Sequence, residues 1–180
     1  MPKAKAAPAA AAKAAAVVKP PKFGLNGKKW EVEFQVKNQN IVIEGCDSKQ
    51  SAYIYKCTDS VIYVKDKINS IALDGCKKCS LVFETVVAGV EIVDCDACKV
   101  QCMGKVQTVS IDKSSGIQII LNKDCFDAEI LTAKCSELNL LVPGKGEDDD
   151  WKEFPVPEQF VSKWNAGKYC YETVCMSHSG

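Results

Sequence analysis

Four thiols stand as Cys76-x-x-Cys79 and Cys95-x-x-Cys98. As a string this matches a zinc site of four thiolates, since soft, deprotonated sulfur at paired short spacings can close a tetrahedron around the metal. The distances between the pairs suggest another use. From Cys76 to Cys95 and from Cys79 to Cys98 is 19 residues, and the first series runs back to Cys57 and on to Ser114 and Ala133. A position that accepts Cys, Ser or Ala selects small size, and a buried free cysteine behaves as a small hydrophobe. We read these cysteines as a packing ladder; bound zinc is the alternative, and metal content decides between them. Eleven cysteines without a secretion signal point to a reducing cytosol and free thiols, and an odd number cannot all pair within one chain.

Other chemistry is sparse. The one histidine, His178, lies beside the carboxyl terminus, which excludes a His-dependent triad or a two-histidine metal centre. No glycine-rich phosphate loop occurs. Asp94 and Asp96 form a carboxylate pair of the kind that turns expose to solvent. An acid row suited to a sugar-active β-helix enzyme would need aligned acids in successive repeats, and the series Glu91, Ser110, Glu129 is interrupted. No cofactor is expected. All 23 basic residues are lysine, and 16 of them, against 23 acids, lie beyond residue 29. An acidic body without the arginine fork argues against reading nucleic acid. No apolar run reaches membrane-spanning length.

The elements that position these residues follow from the same interval. Ile43, Ile62, Leu81, Val100, Ile119 and Leu138 share one phase; Ile54, Leu73, Ile92, Ile111 and Ile130 a second; Ala52, Ile71, Val90, Val109 and Ala128 a third. The count is expected to run without insertion. Tyr53, Ala72, Glu91, Ser110 and Glu129 share a phase with no common chemistry, as an outward face does. Apolar phases two apart mark inward strand positions, as in Val61–Val64 and Ile71–Leu73 or Leu81–Phe83 and Val90–Val93. Gly, Asp, Asn, Ser and Lys between them mark corners. Units this short cannot hold a helix pair, so the fold class is all-β: a parallel β-helix of about six coils rising about 4.8 Å each.

Its open ends need covers. The alternating segment Lys28–Gln35 around Trp30 is expected to cap one end. Residues 143–180 must manage the other, with an acidic loop, the Phe154–Phe160 proline segment and a terminal hairpin. Residues 1–26 read as an Ala/Lys/Pro-rich linker, in which Ala9–Val18 has helix propensity without an amphipathic face, and 27–180 as the folded domain. Lysines gather at the corners, with Lys56, Lys77, Lys78, Lys99, Lys113 and Lys134 on one edge and Lys65, Lys67 and Lys105 on the other. Such rows suit docking an acidic protein.

Ala52-Tyr-Ile-Tyr-Lys-Cys57, Lys67-Ile-Asn-Ser-Ile71, Cys76-Lys-Lys78, Leu81-Val-Phe83, Val100-Gln-Cys-Met-Gly-Lys105 and Glu153-Phe-Pro-Val-Pro-Glu-Gln-Phe160 together resemble the carboxy-terminal domain of adenylyl cyclase-associated proteins, from about Gly27 to Gly180. The resemblance implies a right-handed parallel β-helix of the CARP type whose terminal hairpin, about 161–180, is exchanged in a homodimer. It implies binding of monomeric actin, preferentially its ADP form, and non-enzymatic promotion of nucleotide exchange, in the cytoplasm and at the cytoskeleton. It places Lys56, Lys67, Asn69, Lys77, Lys78 and Lys105 at the actin-facing surface, and Tyr169, Tyr171, Val174 and Met176 in the dimerising hairpin. The oligomerisation helix, helical domain and WH2 segment of longer relatives have no counterpart before Lys22, so cyclase association and filament severing are not expected. A scaffold that dimerises without binding actin, or a sugar-active enzyme, are the competing readings.

Overall fold

A computed structural model describes residues 19–176; Ala9–Val18 and His178 lie outside them. Sixteen strands form two seven-stranded sheets and one free-standing hairpin. The first sheet holds β2 (Lys29–Glu33), β4 (Ser51–Tyr55), β6 (Ile68–Asp74), β8 (Val86–Val93), β10 (Thr108–Asp112) and β12 (Glu129–Ala133), all parallel. The second holds β3 (Ile41–Ile43), β5 (Val61–Val64), β7 (Ser80–Phe83), β9 (Lys99–Cys102), β11 (Gln118–Ile120) and β13 (Asn139–Val142). Each successive pair of strands makes one coil, so the chain is a β-helix of six coils. A third side is only one residue wide, the parallel bridges Val36–Thr58–Lys77–Asp96–Ser115–Ser136.

Alternation builds the core as period-two patterning requires: Ala52 and Ile54, Ile62 and Val64, and Ile71 and Leu73 are all buried, with the residues between them facing out. The uninterrupted interval does not hold at the ends. Register advances by 19 from β4 to β10 apart from a one-residue shift where Ile68 pairs with Val86, but Val32 lies opposite Ile54, and Ile111 opposite Thr132. In the second sheet Ile41, not Ile43, stacks on Ile62, and Leu140, not Leu138, on Ile119. Leu131 consequently takes the outward place expected of Glu129. The extra residues sit in loops, one of them around a 3-10 turn at Lys123–Cys125. Loops longer by two or three residues leave the alternation within each strand intact, so the inward faces survive and the count does not.

The caps also differ from expectation. Lys28–Gln35 contains the first coil strand, β2, and its cover is β1 (Lys22–Asn26), which runs antiparallel to it from within the stretch read as linker. At the far end β14 (Lys152–Pro155) closes the second sheet antiparallel to β13. The first sheet ends on β12, whose outer edge is unpaired among the described strands. Edge backbone of that kind invites another strand.

Candidate functional site

The corner leading from the first sheet into the second is made the same way in the second to sixth coils, while the first coil has left-handed Phe34 (φ 54°) before Gln35. A left-handed residue is followed by a small polar one: Lys56-Cys57, Gly75-Cys76, Asp94-Cys95, Lys113-Ser114 and Lys134-Cys135, with φ of 48, 64, 51, 49 and 53° at the first of each pair. The thiol or hydroxyl then donates to the carbonyl two residues back, as Cys95 Sγ does to Val93 O at 3.3 Å and Ser114 Oγ to Asp112 O at 2.9 Å. A second left-handed residue three positions on repeats the device, with Ser60, Cys79 and Cys98 donating to the carbonyls of Thr58, Lys77 and Asp96.

Each Cys-x-x-Cys is therefore a double corner whose donors satisfy buried carbonyls. The ladder ends on Cys135 rather than Ala133, because the last coil is longer. The neighbouring thiols, then burial, push Cys76 and Cys98 far above the ordinary thiol range. Among the described residues no group of three or more His, Cys, Asp or Glu is arranged to hold a metal ion.

This corner carries the exposed side chains of Lys56, Lys77 and Lys78. Lys56 and Lys77, with Lys19, Lys113 and Lys134, line an open groove of about 1050 Å³ along the third side. Phe34 and Tyr55 sit in its wall, edge to face at 5.5 Å, with Lys19 Nζ 5.3 Å from the Phe34 ring and Lys56 Nζ 5.5 Å from the Tyr55 ring.

Lys67 and Lys105 occupy the opposite corner, between the second sheet and the next strand of the first, and Asn69 is the second residue of β6 beside it. Ile68 pairs with Val86, and Val86 N–H donates to Lys105 O, so Lys67, Thr85 and Lys105 form one column. Lys105 Nζ lies 3.2 Å from Asp127 Oδ2, and its N–H donates to Thr85 Oγ1. Asn122 ties this corner down by donating to Met103 O and Gly104 O at 2.7 and 2.8 Å. The six candidate residues thus fall on two edges, three on each. Pairing of Phe34 with Tyr55 was not anticipated; they are 21 residues apart, and no single-coil pattern marks them.

The terminal hairpin, β15 (Phe160–Asn165) and β16 (Cys170–Cys175), pairs only with itself among the described strands. Tyr169, Tyr171, Val174 and Met176 are 84, 70, 58 and 44% exposed, and both tyrosines pack edgewise on Trp164 at 5.0 and 5.4 Å. Leu131 on the open β12 is also half exposed. An apolar hairpin without a cover thus accompanies a sheet edge without a partner, a combination that association would remove.

Among the described residues no helix is long and apolar enough to cross a membrane. Comparison with known proteins gives a consistent result. The family described as adenylate cyclase associated (CAP) C terminal matches residues 19–176. "Cyclase-associated protein 1" of Arabidopsis thaliana is 48% identical over 162 residues, 89% of this chain and 34% of that protein. "Adenylyl cyclase-associated protein 1" of Homo sapiens is 52% identical over 144 residues, 80% of this chain and 30% of that protein. The chain spans about a third of the length of these relatives. A crystal structure of cyclase-associated protein from Cryptosporidium parvum superposes with a TM-score of 0.81 at 36% identity, covering 88% of this chain and 96% of the other.

Proposed function

The chain belongs to the family of adenylate cyclase-associated protein C-terminal domains, and from that premise we propose that it binds monomeric actin, prefers the ADP form, and speeds exchange of its nucleotide. The observation that carries the reading is the match along the whole described chain, together with the motifs at both corners and in the proline-containing tail. Lys56, Lys77 and Lys78 on one edge and Lys67, Asn69 and Lys105 on the other supply the donors for an acidic partner.

Acceleration of exchange needs no catalytic residue. A rigid β-helix that binds an open state of actin more tightly than the closed state lowers nucleotide affinity by the same ratio. The action is non-enzymatic, and its place is the cytoplasm, at sites of actin turnover. Exchange of fluorescent ATP onto ADP-actin is expected to accelerate in the presence of this chain. Absence of binding at micromolar concentration refutes the reading.

A homodimer built by exchanging the hairpin around Tyr169, Tyr171, Val174 and Met176 belongs to the same proposal. The open edge of β12 and the uncovered hairpin support it. Light-scattering mass should fall to that of a monomer when the chain is cut before Tyr169; an unchanged mass refutes exchange. The same two features favour a second reading, a dimerising scaffold without actin activity, which would give dimer mass and no effect on actin.

A further inference from the structure

The groove along the one-residue side has a charge pattern that its surroundings lack. Beyond residue 29 acids outnumber lysines by 23 to 16, yet five lysines face only two aspartates in the groove lining. Among the described residues, ion pairs do not include Lys56, Lys77 or Lys134. Three of the lysines also sit where lysine is conformationally costly. Lys56, Lys113 and Lys134 share one left-handed corner position with Gly75, the residue that adopts φ near 60° without a steric penalty. Glycine would serve the turn in every coil, but it occurs at one of six positions, Phe34 and Asp94 hold two, and lysine holds three. The turn alone does not account for that choice.

The charges are ordered along the axis. Lys19, Lys56 and Lys77 lie at the first coils, Asp94 and Asp96 in the middle, and Lys113 and Lys134 at the last. Five steps separate Val36 from Ser136 along the floor, a length of roughly 24 Å at about 4.8 Å per coil. An extended chain covers that span with about seven residues at roughly 3.3 Å each. Polyphosphate or nucleic acid, with a charge at every step, would meet the two aspartates head on, and no arginine offers a fork for phosphate.

We propose that this groove binds an extended acidic peptide segment of a partner protein, with acids towards both ends and a neutral or basic centre facing Asp94 and Asp96. The inference goes beyond the actin reading, which stands if this one fails, because the assay contains no actin.

Two fluorescent nine-residue peptides of identical composition provide the test, one with paired acids at each end around a central lysine, the other with all four acids central. Fluorescence anisotropy on the full chain is expected to show tighter binding of the end-acidic peptide, weakening as salt is raised. Each of Lys77→Ala, Lys113→Ala and Lys134→Ala should weaken it about 2–5-fold, while Lys163→Ala on the hairpin leaves it unchanged. The pair Asp94→Asn with Asp96→Asn should narrow the preference by strengthening binding of the centre-acidic peptide, a gain that misfolding cannot mimic. Equal affinity for the two peptides, or inorganic polyphosphate binding more tightly than the end-acidic peptide, overturns the proposal.

Discussion

Cys76 separates a packing role from a ligand role, because its replacements should rank differently in the two cases. Its side chain is completely buried, and its sulfur donates to Ile54 O at 3.5 Å and Asp74 O at 3.7 Å. Alanine in its place loses about 1 kcal/mol of buried surface, a weak hydrogen bond, and contacts around a void the size of the sulfur. The total is about 2 kcal/mol. Serine loses the same surface but has a precedent in the same fold. Ser114 Oγ donates to Asp112 O and accepts from Cys95 N–H at 3.1 Å, and Ser60 Oγ donates to Thr58 O and accepts from Asn38 N–H at 3.2 Å.

Those two bonds offset most of the loss, so Cys76→Ser should stay within about 1 kcal/mol of the parent. Cys76→Val should cost about 1–3 kcal/mol through overpacking, since Cys57 and Cys95 occupy the same register in the adjacent coils. For a domain of this size each kcal/mol shifts Tm by about 2–4 °C. Calorimetry should therefore lower Tm by about 4–8 °C for alanine and by no more than about 4 °C for serine, and urea midpoints should move at constant slope. Serine falling as far as alanine, or a stoichiometric zinc lost on substitution, would refute the corner argument and restore the metal reading.

Thiol labelling tests the same interior. Of eleven cysteines, Cys170 and Cys175 are exposed and Cys135 half-buried; burial, then the Cys125 thiol, pushes Cys102 up as well. An aromatic disulfide reagent at pH 8 should label no more than two thiols fast and a third slowly, and all eleven only after denaturation; more than three fast thiols contradicts it. A Cβ on Gly104 would lie 2.4 Å from Thr85 Oγ1 and 2.5 Å from Glu84 O, so Gly104→Ala should destabilise by about 1–3 kcal/mol in urea melts, and a neutral result refutes the fit. The hydrogen bond from Lys22 holds the Glu31 carboxyl below its usual range, which ties β1 to β2. That contribution is present above the unfolded carboxylate pKa and disappears as pH falls through the lowered value. Emission of Trp30, stacked on Phe23 at 6.1 Å, should report release of β1 on acidification, and Glu31→Gln should abolish that pH step.

Much of the fold was legible because its signal is physical and local. Side chains alternate faces every second residue, so Ile54, Leu73 and Ile92 reveal an inner face without knowledge of what they touch. The repeat spacing then stacks them, and the hairpin strand is visible from alternation at Tyr169–Met176. Loop length leaves no such trace: the longer first and last coils preserve alternation while moving Ile41 and Leu140 into the places expected of Ile43 and Leu138. Nor does a lysine announce a left-handed φ, so the corner role of Lys56 and the donor role of Cys57 appear only once the backbone is drawn.

What the sequence determined alone was the set of inward residues, the stacked architecture and the lysines at the turns, because side-chain alternation and turn chemistry act over a few residues. Tertiary structure decided the rest: that Cys76, Cys79, Cys95 and Cys98 satisfy carbonyls, and that Lys56, Lys77, Lys113 and Lys134 share one groove. Those relations join residues from separate coils, and only closure of each coil onto the last brings them within reach.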